Sequence, residues 1–187
     1  RERFESRGLG DVYKRQETPF KRTLGVMQKL IIELKLNLNF VDFGGGFGID
    51  YSGKDKTLNL TNYSKLVEKF AKKINCKIIF EPGRSIIGNA GILISKVQFI
   101  KRGSKKSFII LDAGMNDFMR PALYDAFHKI IPISKTSSRM TGAIEFVGPI
   151  CESTCKFGVY KKYQKLNEND YIAITNVGAY GSSLSSN

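Results

Sequence analysis

The sequence predicts an α/β segment that is followed by a β domain. Two helix-and-strand steps follow one another between residues 18 and 80, and both predicted strands end in loops with glycine or proline. Helices and strands in alternation are typical of a parallel sheet. Beyond residue 91, short runs of β-branched and aromatic residues are separated by turns. We therefore expect the last part of a (β/α)₈ TIM-type barrel, followed by a C-terminal β-sandwich or barrel-like domain.

Composition limits the classes of function. The chain has 187 residues, 42% of them hydrophobic, and a formal charge of +13. The basic residues are scattered without interleaved aromatic residues, which favours a solvated surface that attracts small anions over a nucleic-acid interface. No apolar run is long enough to span a membrane and no signal peptide is visible, so we expect a soluble cytoplasmic protein. Three cysteines, Cys76, Cys151 and Cys155, provide neither a disulfide framework nor a zinc site.

The first helix and strand are predicted between residues 18 and 43. Residues 1–16 have no sustained apolar period, and we expect them to be a foreign or artefactual leader. Thr18 is the expected cap of the first helix, with Pro19 at its first position. The helix leads into a strand over residues 40–43. Its predicted apolar face consists of Leu24, Met27, Leu30, Ile31 and Leu34.

A second helix and strand follow after a polar loop. Thr61 or Asn62 is the expected helix cap, and the strand covers residues 77–80. The predicted apolar face of this helix consists of Tyr63, Leu66, Val67, Phe70, Ala71 and Ile74.

The predicted domain boundary lies where the pattern changes to β. We assign residues 17–90 to the α/β part and residues 91–187 to the β domain, which we expect to be truncated at its end. The predicted strands of the β domain cover residues 92–101, 107–112, 143–147 and 171–175.

The loops after the two α/β strands carry the first functional signal. Three successive glycines, Gly44, Gly45 and Gly46, expose backbone amides that can converge on a phosphate, although a tight turn explains the same residues. The spacing matches neither the Rossmann nor the Walker A pattern. Glu81 ends the next strand beside Pro82 and a Gly-Arg pair. A ligand with both a phosphate and a protonatable ring nitrogen uses both loops, whereas a surface ion pair is the simpler explanation of Glu81.

Five motifs in order carry a family resemblance. They are GGGFGIDY, EPGRSIIGNAG, DAGMNDFMRPALYDAFH, GPICES and NVGAYG. From Thr18 onward, the chain resembles the diaminopimelate decarboxylases, a branch of the fold-type III pyridoxal-phosphate decarboxylases. The resemblance implies conversion of meso-2,6-diaminopimelate to L-lysine and CO₂, the last step of lysine biosynthesis.

The resemblance also implies roles for individual residues. Glu81 pairs with the pyridine nitrogen of pyridoxal 5′-phosphate, and Cys151 is the catalytic proton donor. Cys151 and Glu152 enter the active site of the partner subunit, which implies a homodimer. Cofactor-binding residues are Gly44, Gly45, Gly46, Glu81, Pro82, Gly83, Arg84 and Tyr180. Substrate-binding residues are Arg84, Arg120, Tyr124, Glu152 and Tyr180.

Two departures from the family pattern bear on activity. Cys155 stands where the family has an aspartate, and the lysine that forms the Schiff base with the cofactor lies upstream of Thr18 in this family. We therefore expect a C-terminal fragment that is inactive alone. His128 is expected to be structural. Asp112, Asn116 and Asp117 are expected to be turn and strand-end residues that position Arg120.

Other functions stay open at this point. A related decarboxylase of another basic amino acid, of the ornithine or arginine type, would use the same cofactor but would have little use for Arg120. A non-catalytic phosphate-binding or nucleic-acid-binding module is the alternative from a different class.

Overall fold

The computed structural model describes residues 17–53 and 58–186, with side chains from Phe20 onward. The predicted leader, residues 1–16, lies outside the described residues. The chain divides into two compact units, and the division falls between Ile86 and Ile87. No helix among the described residues is both long enough and apolar enough to cross a membrane.

The first unit contains the predicted alternation of helices and strands. Helix α1 (Glu17–Glu33) precedes strand β1 (Phe40–Asp42), and helix α2 (Leu60–Ile74) precedes strand β2 (Lys77–Ile79). The short helix α3 (Gly83–Ile87) follows. Strands β1 and β2 pair in parallel, and the prediction of a parallel pair is therefore confirmed.

Helix α2 matches its predicted face more closely than α1 does. All six predicted positions of α2 are buried or half-buried. In α1, Leu24 and Ile31 are buried in the core, but Leu30 and Leu34 are exposed. The predicted apolar face of α1 was therefore too wide. The four buried residues of this core are Leu24, Ile31, Val41 and Phe70.

The predicted helix caps were wrong. Helix α1 begins at Glu17, one residue before the predicted cap Thr18. The cap of α2 is Asn59, whose Oδ1 accepts a hydrogen bond from the Asn62 amide at 3.0 Å. An asparagine cap uses its side-chain oxygen for the third amide of the helix, so the helix starts earlier than a threonine-based prediction places it.

The second unit is one six-stranded sheet with mostly antiparallel pairing. Its strand order is β5-β8-β3-β4-β6-β7, and β4 and β6 form its parallel pair. Short helix α4 (Arg120–Tyr124) lies between β4 and β5 in sequence. The four predicted strands are present, whereas β5 and β7 were not predicted. The strands are β3 (Ile92–Arg102), β4 (Lys106–Leu111), β5 (Ile130–Pro132), β6 (Arg139–Val147), β7 (Lys156–Gln164) and β8 (Tyr171–Thr175).

Two tyrosines join the edges of this sheet. The Tyr160 hydroxyl on β7 accepts a hydrogen bond from the Ile130 amide on β5 at 2.8 Å, and the Tyr163 hydroxyl donates to the Ile130 carbonyl at 3.1 Å. Burial raises the pKa of Tyr163, so its hydroxyl keeps the proton that it donates. These bonds satisfy edge groups that no neighbouring strand pairs, and the sheet curls into a nearly closed barrel. Its core includes Val97, Ile109, Leu111, Phe118, Ile130, Ile144, Phe146, Phe157, Ile172 and Ile174.

Candidate cofactor and substrate site

The glycine loop of the first unit is a tight turn that packs against the next strand end. Gly44 and Gly46 have positive φ angles of 63° and 83°, which a side chain would strain. The Gly44 amide donates to Asp42 Oδ1 at 2.7 Å. A Cβ on Gly45 would lie 2.5 Å from the Glu81 carbonyl oxygen. The Gly44 amide is thus occupied within the turn, unlike the row of three uncovered amides that the sequence predicted.

The glycine loop and the Glu81 loop are in direct contact. The Glu81 amide donates to the Gly44 carbonyl at 2.8 Å, which extends the pairing of β1 and β2 beyond their ends. The Gly83 amide donates to the Glu81 carbonyl at 2.8 Å and closes the following turn. The Glu81 side chain is exposed, and Arg84 is half-buried on α3. The two strand ends therefore meet, as parallel strands require, and the predicted cofactor residues of this unit lie together.

An aromatic cluster packs beside the glycine loop. Phe47 contacts Phe20, Tyr63 and Phe80, with ring centroids 5.5–6.4 Å apart. A Cβ on Gly46 would lie 3.7 Å from the Phe20 ring. Burial raises the pKa of Tyr63. These rings hold the glycine loop against α1 and α2, so the loop has a rigid support.

Substitution of Gly45 is expected to break the contact between the two loops. In Gly45→Ala, the new methyl group would overlap the Glu81 carbonyl, a backbone atom that cannot rotate away. We expect a loss of about 2–3 kcal/mol in the free energy of unfolding, because overpacking forces the backbone apart. Urea denaturation measures it. Gly25→Ala is the matched control, since Gly25 lies within α1 with open space around it, and alanine there is expected to stabilise the helix by about 0.5–1 kcal/mol. Equal midpoints for the two variants would contradict the prediction.

In the second unit, Cys151 and Glu152 lie at an exposed loop tip between β6 and β7. The base of this loop is fixed by Cys155, which is buried and whose Sγ accepts a hydrogen bond from the Met115 amide at 3.3 Å. The Cys155 amide donates to the Glu152 carbonyl at 2.9 Å. Hydrogen bonds from the Ser153 hydroxyl and the Thr154 amide lower the pKa of Glu152, so its carboxylate is ionised at neutral pH. Cys155 therefore anchors the loop that presents Cys151.

The segment that carries Tyr180 is held by a close crossing of two glycines. The Gly178 amide donates to the Gly88 carbonyl at 3.1 Å, and the Val177 amide donates to the Gly91 carbonyl at 3.1 Å. Gly91 and Gly178 touch, since a Cβ on Gly91 would lie 2.6 Å from the Gly178 Cα. Tyr180 follows with a φ of 64° and is about half exposed. The crossing fixes where this strained tyrosine lies.

Arg120 and His128 form a buried polar pair. Arg120 Nε donates to His128 Nε2 at 3.4 Å, and His128 Nδ1 lies 3.0 Å from the Thr175 carbonyl. The Arg120 guanidinium lies 5.7 Å from the centre of the Tyr124 ring. Tyr124 is exposed, but Arg120 is only 1% exposed, so the expected substrate contact at Arg120 is not open at the surface. His128 is a core residue, as the sequence predicted.

His128 is expected to make stability fall in mild acid. Burial lowers the pKa of His128 to about 4 from 6.5, and the Arg120 charge adds to this effect. Between pH 6.5 and pH 4, the unfolded chain binds a proton at His128 that the folded chain does not bind. The free energy of unfolding therefore falls as the pH drops through this window, and it stops falling below pH 4. The expected loss is roughly 3 kcal/mol. Urea denaturation at pH 7.5, 6, 5 and 4 measures it, and His128→Gln, which removes the only histidine, should show a flatter profile. Parallel profiles would exclude the effect.

The structure groups the predicted site residues within each unit. Residues 44–46 and 81–84 meet in the first unit. In the second, the Cys151 loop contacts the turn at residues 113–117 through Cys155, and the Ser186 amide bonds to Asn116 of the same turn at 2.9 Å. The Asp117 side chain closes this turn by accepting from the Gly114 amide at 2.7 Å. Sequence reasoning missed the anchoring roles of Cys155 and Gly178. The signals available were a second cysteine after Cys151 and a glycine between the apolar residues Val177 and Ala179. Among the described residues, no cluster of three metal-ligating side chains occurs.

These features define a class of protein that has two characteristic parts. One is a glycine loop hydrogen-bonded to an acidic strand end, and the other is a curled β domain. Comparison with known proteins is consistent with that class. Residues 12–178 match the family described as "Pyridoxal-dependent decarboxylase, C-terminal sheet domain". The chain therefore belongs to the pyridoxal-dependent decarboxylases, whose cofactor is pyridoxal phosphate.

Individual relatives are diaminopimelate decarboxylases. The chain is 43% identical over 150 residues to that enzyme from Aquifex aeolicus, which covers 80% of this chain and 36% of the relative. The crystal structure of the Helicobacter pylori enzyme complexed with L-lysine is 39% identical with a TM-score of 0.76, covering 89% of this chain and 40% of that one. The enzyme from M. jannaschii in co-complex with L-lysine is 35% identical with a TM-score of 0.80, covering 91% and 41%. The chain thus spans about two fifths of the length of these relatives.

Proposed function

We propose that the protein carrying this sequence decarboxylates meso-2,6-diaminopimelate to L-lysine and CO₂. The observation that carries the proposal is the 2.8 Å hydrogen bond from the Glu81 amide to the Gly44 carbonyl. This bond joins the glycine turn after β1, which suits a phosphate, to the end of β2, which carries an acidic side chain. A ligand with both a phosphate and a ring nitrogen needs the two groups at the same edge of the sheet. The Helicobacter and M. jannaschii relatives crystallised with L-lysine, the proposed product, support the substrate.

The glycine and Glu81 loops fit pyridoxal phosphate. The amides of Gly45 and Gly46, together with Arg84, hold the phosphate, while Gly44, Pro82 and Gly83 shape the two turns. Because Gly45 has no side chain, the glycine loop can approach the Glu81 carbonyl closely. The side chain of any larger residue would prevent this approach. The Glu81 carboxylate binds the protonated ring nitrogen. When bound, the ring delocalises the electron pair that is left as CO₂ departs.

We assign substrate binding to charged side chains and two tyrosines. Two guanidiniums, Arg84 and Arg120, suit a substrate with two carboxylates, because each can form a bidentate pair. Glu152 is ionised and binds the distal ammonium group. Tyr124 and Tyr180 complete the substrate contacts.

Cys151 donates the proton to Cα after decarboxylation. Its exposed position at a loop tip with a buried base suits a residue that is presented to another subunit. We therefore propose a homodimer with shared active sites. We also propose a cytoplasmic location, and we assign the predicted α/β part, residues 17–90, to the end of a (β/α)₈ barrel.

The test is a decarboxylation assay with the full-length protein that carries this sequence. Release of CO₂ from meso-diaminopimelate, ornithine and arginine is compared in the presence of pyridoxal phosphate. We expect activity on meso-diaminopimelate alone, and Arg120→Ala should remove most of that preference, because the distal carboxylate loses its partner. Higher activity on ornithine or arginine would favour the related decarboxylases. Absence of pyridoxal-phosphate binding, with salt-dependent binding of duplex DNA, would favour the non-catalytic module.

A further inference from the structure

Ser153 directly follows the proposed substrate residue Glu152, and the proposed function gives it no role. Both lie at the loop tip between β6 and β7, where residues 151–154 are exposed. The Ser153 hydroxyl donates to Glu152 Oε1 at 3.0 Å. The Thr154 amide donates to the same oxygen at 3.3 Å, and the Thr154 hydroxyl lies 3.4 Å from it. Three donors therefore gather on one oxygen of this carboxylate.

The backbone of the loop brings these donors together. The Cys155 amide donates to the Glu152 carbonyl at 2.9 Å, which closes a turn with Glu152 at its first position. At that position a side-chain oxygen can accept from the amide two residues further on, which is the Thr154 amide here. Cys155 is buried, and its Sγ accepts from the Met115 amide. The turn that orients the Glu152 carboxylate is therefore fixed at its base, although its tip faces solvent.

The second oxygen of the Glu152 carboxylate is open to a ligand. Within the described part of the chain, no hydrogen bond ends on Oε2. Hydrogen bonds from residues 153 and 154, with that of the Ser153 hydroxyl as the largest cause, lower the pKa of Glu152, so the carboxylate keeps its charge. An ammonium group has three N–H donors and binds most strongly to an ionised acceptor. A carboxylate that is held by one oxygen and open at the other suits such a ligand.

We propose that Ser153 is a positioning residue that holds Glu152 Oε1, so that Oε2 faces the substrate's distal ammonium group. Without the Ser153 hydroxyl, the Glu152 side chain samples more rotamers, and ordering it when the substrate binds costs free energy. The cost falls on binding and not on the chemical step. This inference rests on the proposed function, in which Glu152 binds that ammonium group.

A double-mutant cycle in the full-length holoenzyme tests the proposal. We expect Ser153→Ala to raise KM for meso-diaminopimelate by about 3- to 10-fold while kcat changes by less than about twofold. Ser153→Thr keeps the hydroxyl, and its KM should stay within about twofold of the wild type. Glu152→Gln replaces Oε2 by an amide nitrogen and raises KM by itself. In that background, Ser153→Ala should add less than about twofold, because both residues act on one contact.

The matched control is Ser137→Ala. Ser137 is an exposed serine between β5 and β6, outside the proposed site, and its loss should leave KM and kcat unchanged.

Titration of the Glu152 carboxyl group is a second measurement, which needs no turnover. In protein with carbon-13 in its glutamate carboxyl groups, the Glu152 resonance is identified by its absence from Glu152→Gln. The pKa of Glu152 should lie below the ordinary glutamate value in the wild type and in Ser153→Thr, and it should rise in Ser153→Ala, because the largest cause of the lowering is removed.

Each outcome decides the proposal. An unchanged KM in Ser153→Ala, an equal further rise in KM when Ser153→Ala is added to Glu152→Gln, or an unchanged Glu152 titration in Ser153→Ala would overturn it. If the wild-type holoenzyme does not act on meso-diaminopimelate, the proposed function fails by itself, and the titration still decides whether Ser153 holds the Glu152 carboxylate.

Discussion

Cys151→Ala is expected to lower kcat for meso-diaminopimelate by about 10²- to 10⁴-fold in the full-length holoenzyme, the range that a positioned general acid contributes. A thiol can donate its proton to the substrate carbon, whereas a methyl group has no proton to donate. The loop carrying Cys151 is anchored through Cys155 and the Met115 amide, so removing the exposed Cys151 thiol should leave the fold intact. Steady-state CO₂ release measures kcat, and circular dichroism checks the fold.

Two further variants identify the cause of the loss. Cys151→Ser keeps an O–H donor that releases its proton less readily, so its kcat should fall between those of wild type and Cys151→Ala. Cys76→Ala is the control, because Cys76 lies half-buried between α2 and β2 in the first unit, and its kcat should match the wild type. A Cys151→Ala enzyme with wild-type kcat would rule out Cys151 as the proton donor.

Gly178→Ala is expected to destabilise the second unit by about 3–4 kcal/mol, as severe overpacking against backbone does. Its Cβ would overlap the Ile87 carbonyl oxygen and would lie 2.9 Å from the Gly91 amide nitrogen. Both neighbours are backbone atoms, so the clash can be relieved only if the two crossing chain segments move apart. That separation breaks the hydrogen bonds from Gly178 to Gly88 and from Val177 to Gly91. Thermal or urea unfolding measures the loss.

The matched control is Gly158→Ala within β7. A Cβ there would make ordinary contacts, 3.6 Å from the Tyr160 ring and 3.9 Å from the Ile130 side chain. Alanine also suits an extended strand better than glycine, so stability should be unchanged or slightly higher. Equal stability of Gly178→Ala and Gly158→Ala would contradict a tight backbone crossing at Gly178.

The sequence predicted elements with strong periodicity and missed those without it. The α2 face from Tyr63 to Ile74 is fully confirmed because its apolar residues follow a helical period without interruption. Strand β7 was missed because Gly158 and a lysine pair interrupt its alternation. Strand β5 has only three residues and ends in proline, so its identity depends on pairing with β8. The exposure of Leu30 depends on what packs beside α1, which no local pattern contains.

The sequence by itself determined the order of helices and strands and the chemistry at the strand ends, because periodicity and residue type are local properties of the chain. Only the tertiary structure decided that the Gly44 carbonyl accepts from the Glu81 amide, that Cys155 anchors the Cys151 loop, and that His128 accepts from Arg120. These contacts join residues 8 to 40 positions apart. The sequence supplies their donors and acceptors, but their meeting depends on how the whole chain packs its strands and turns.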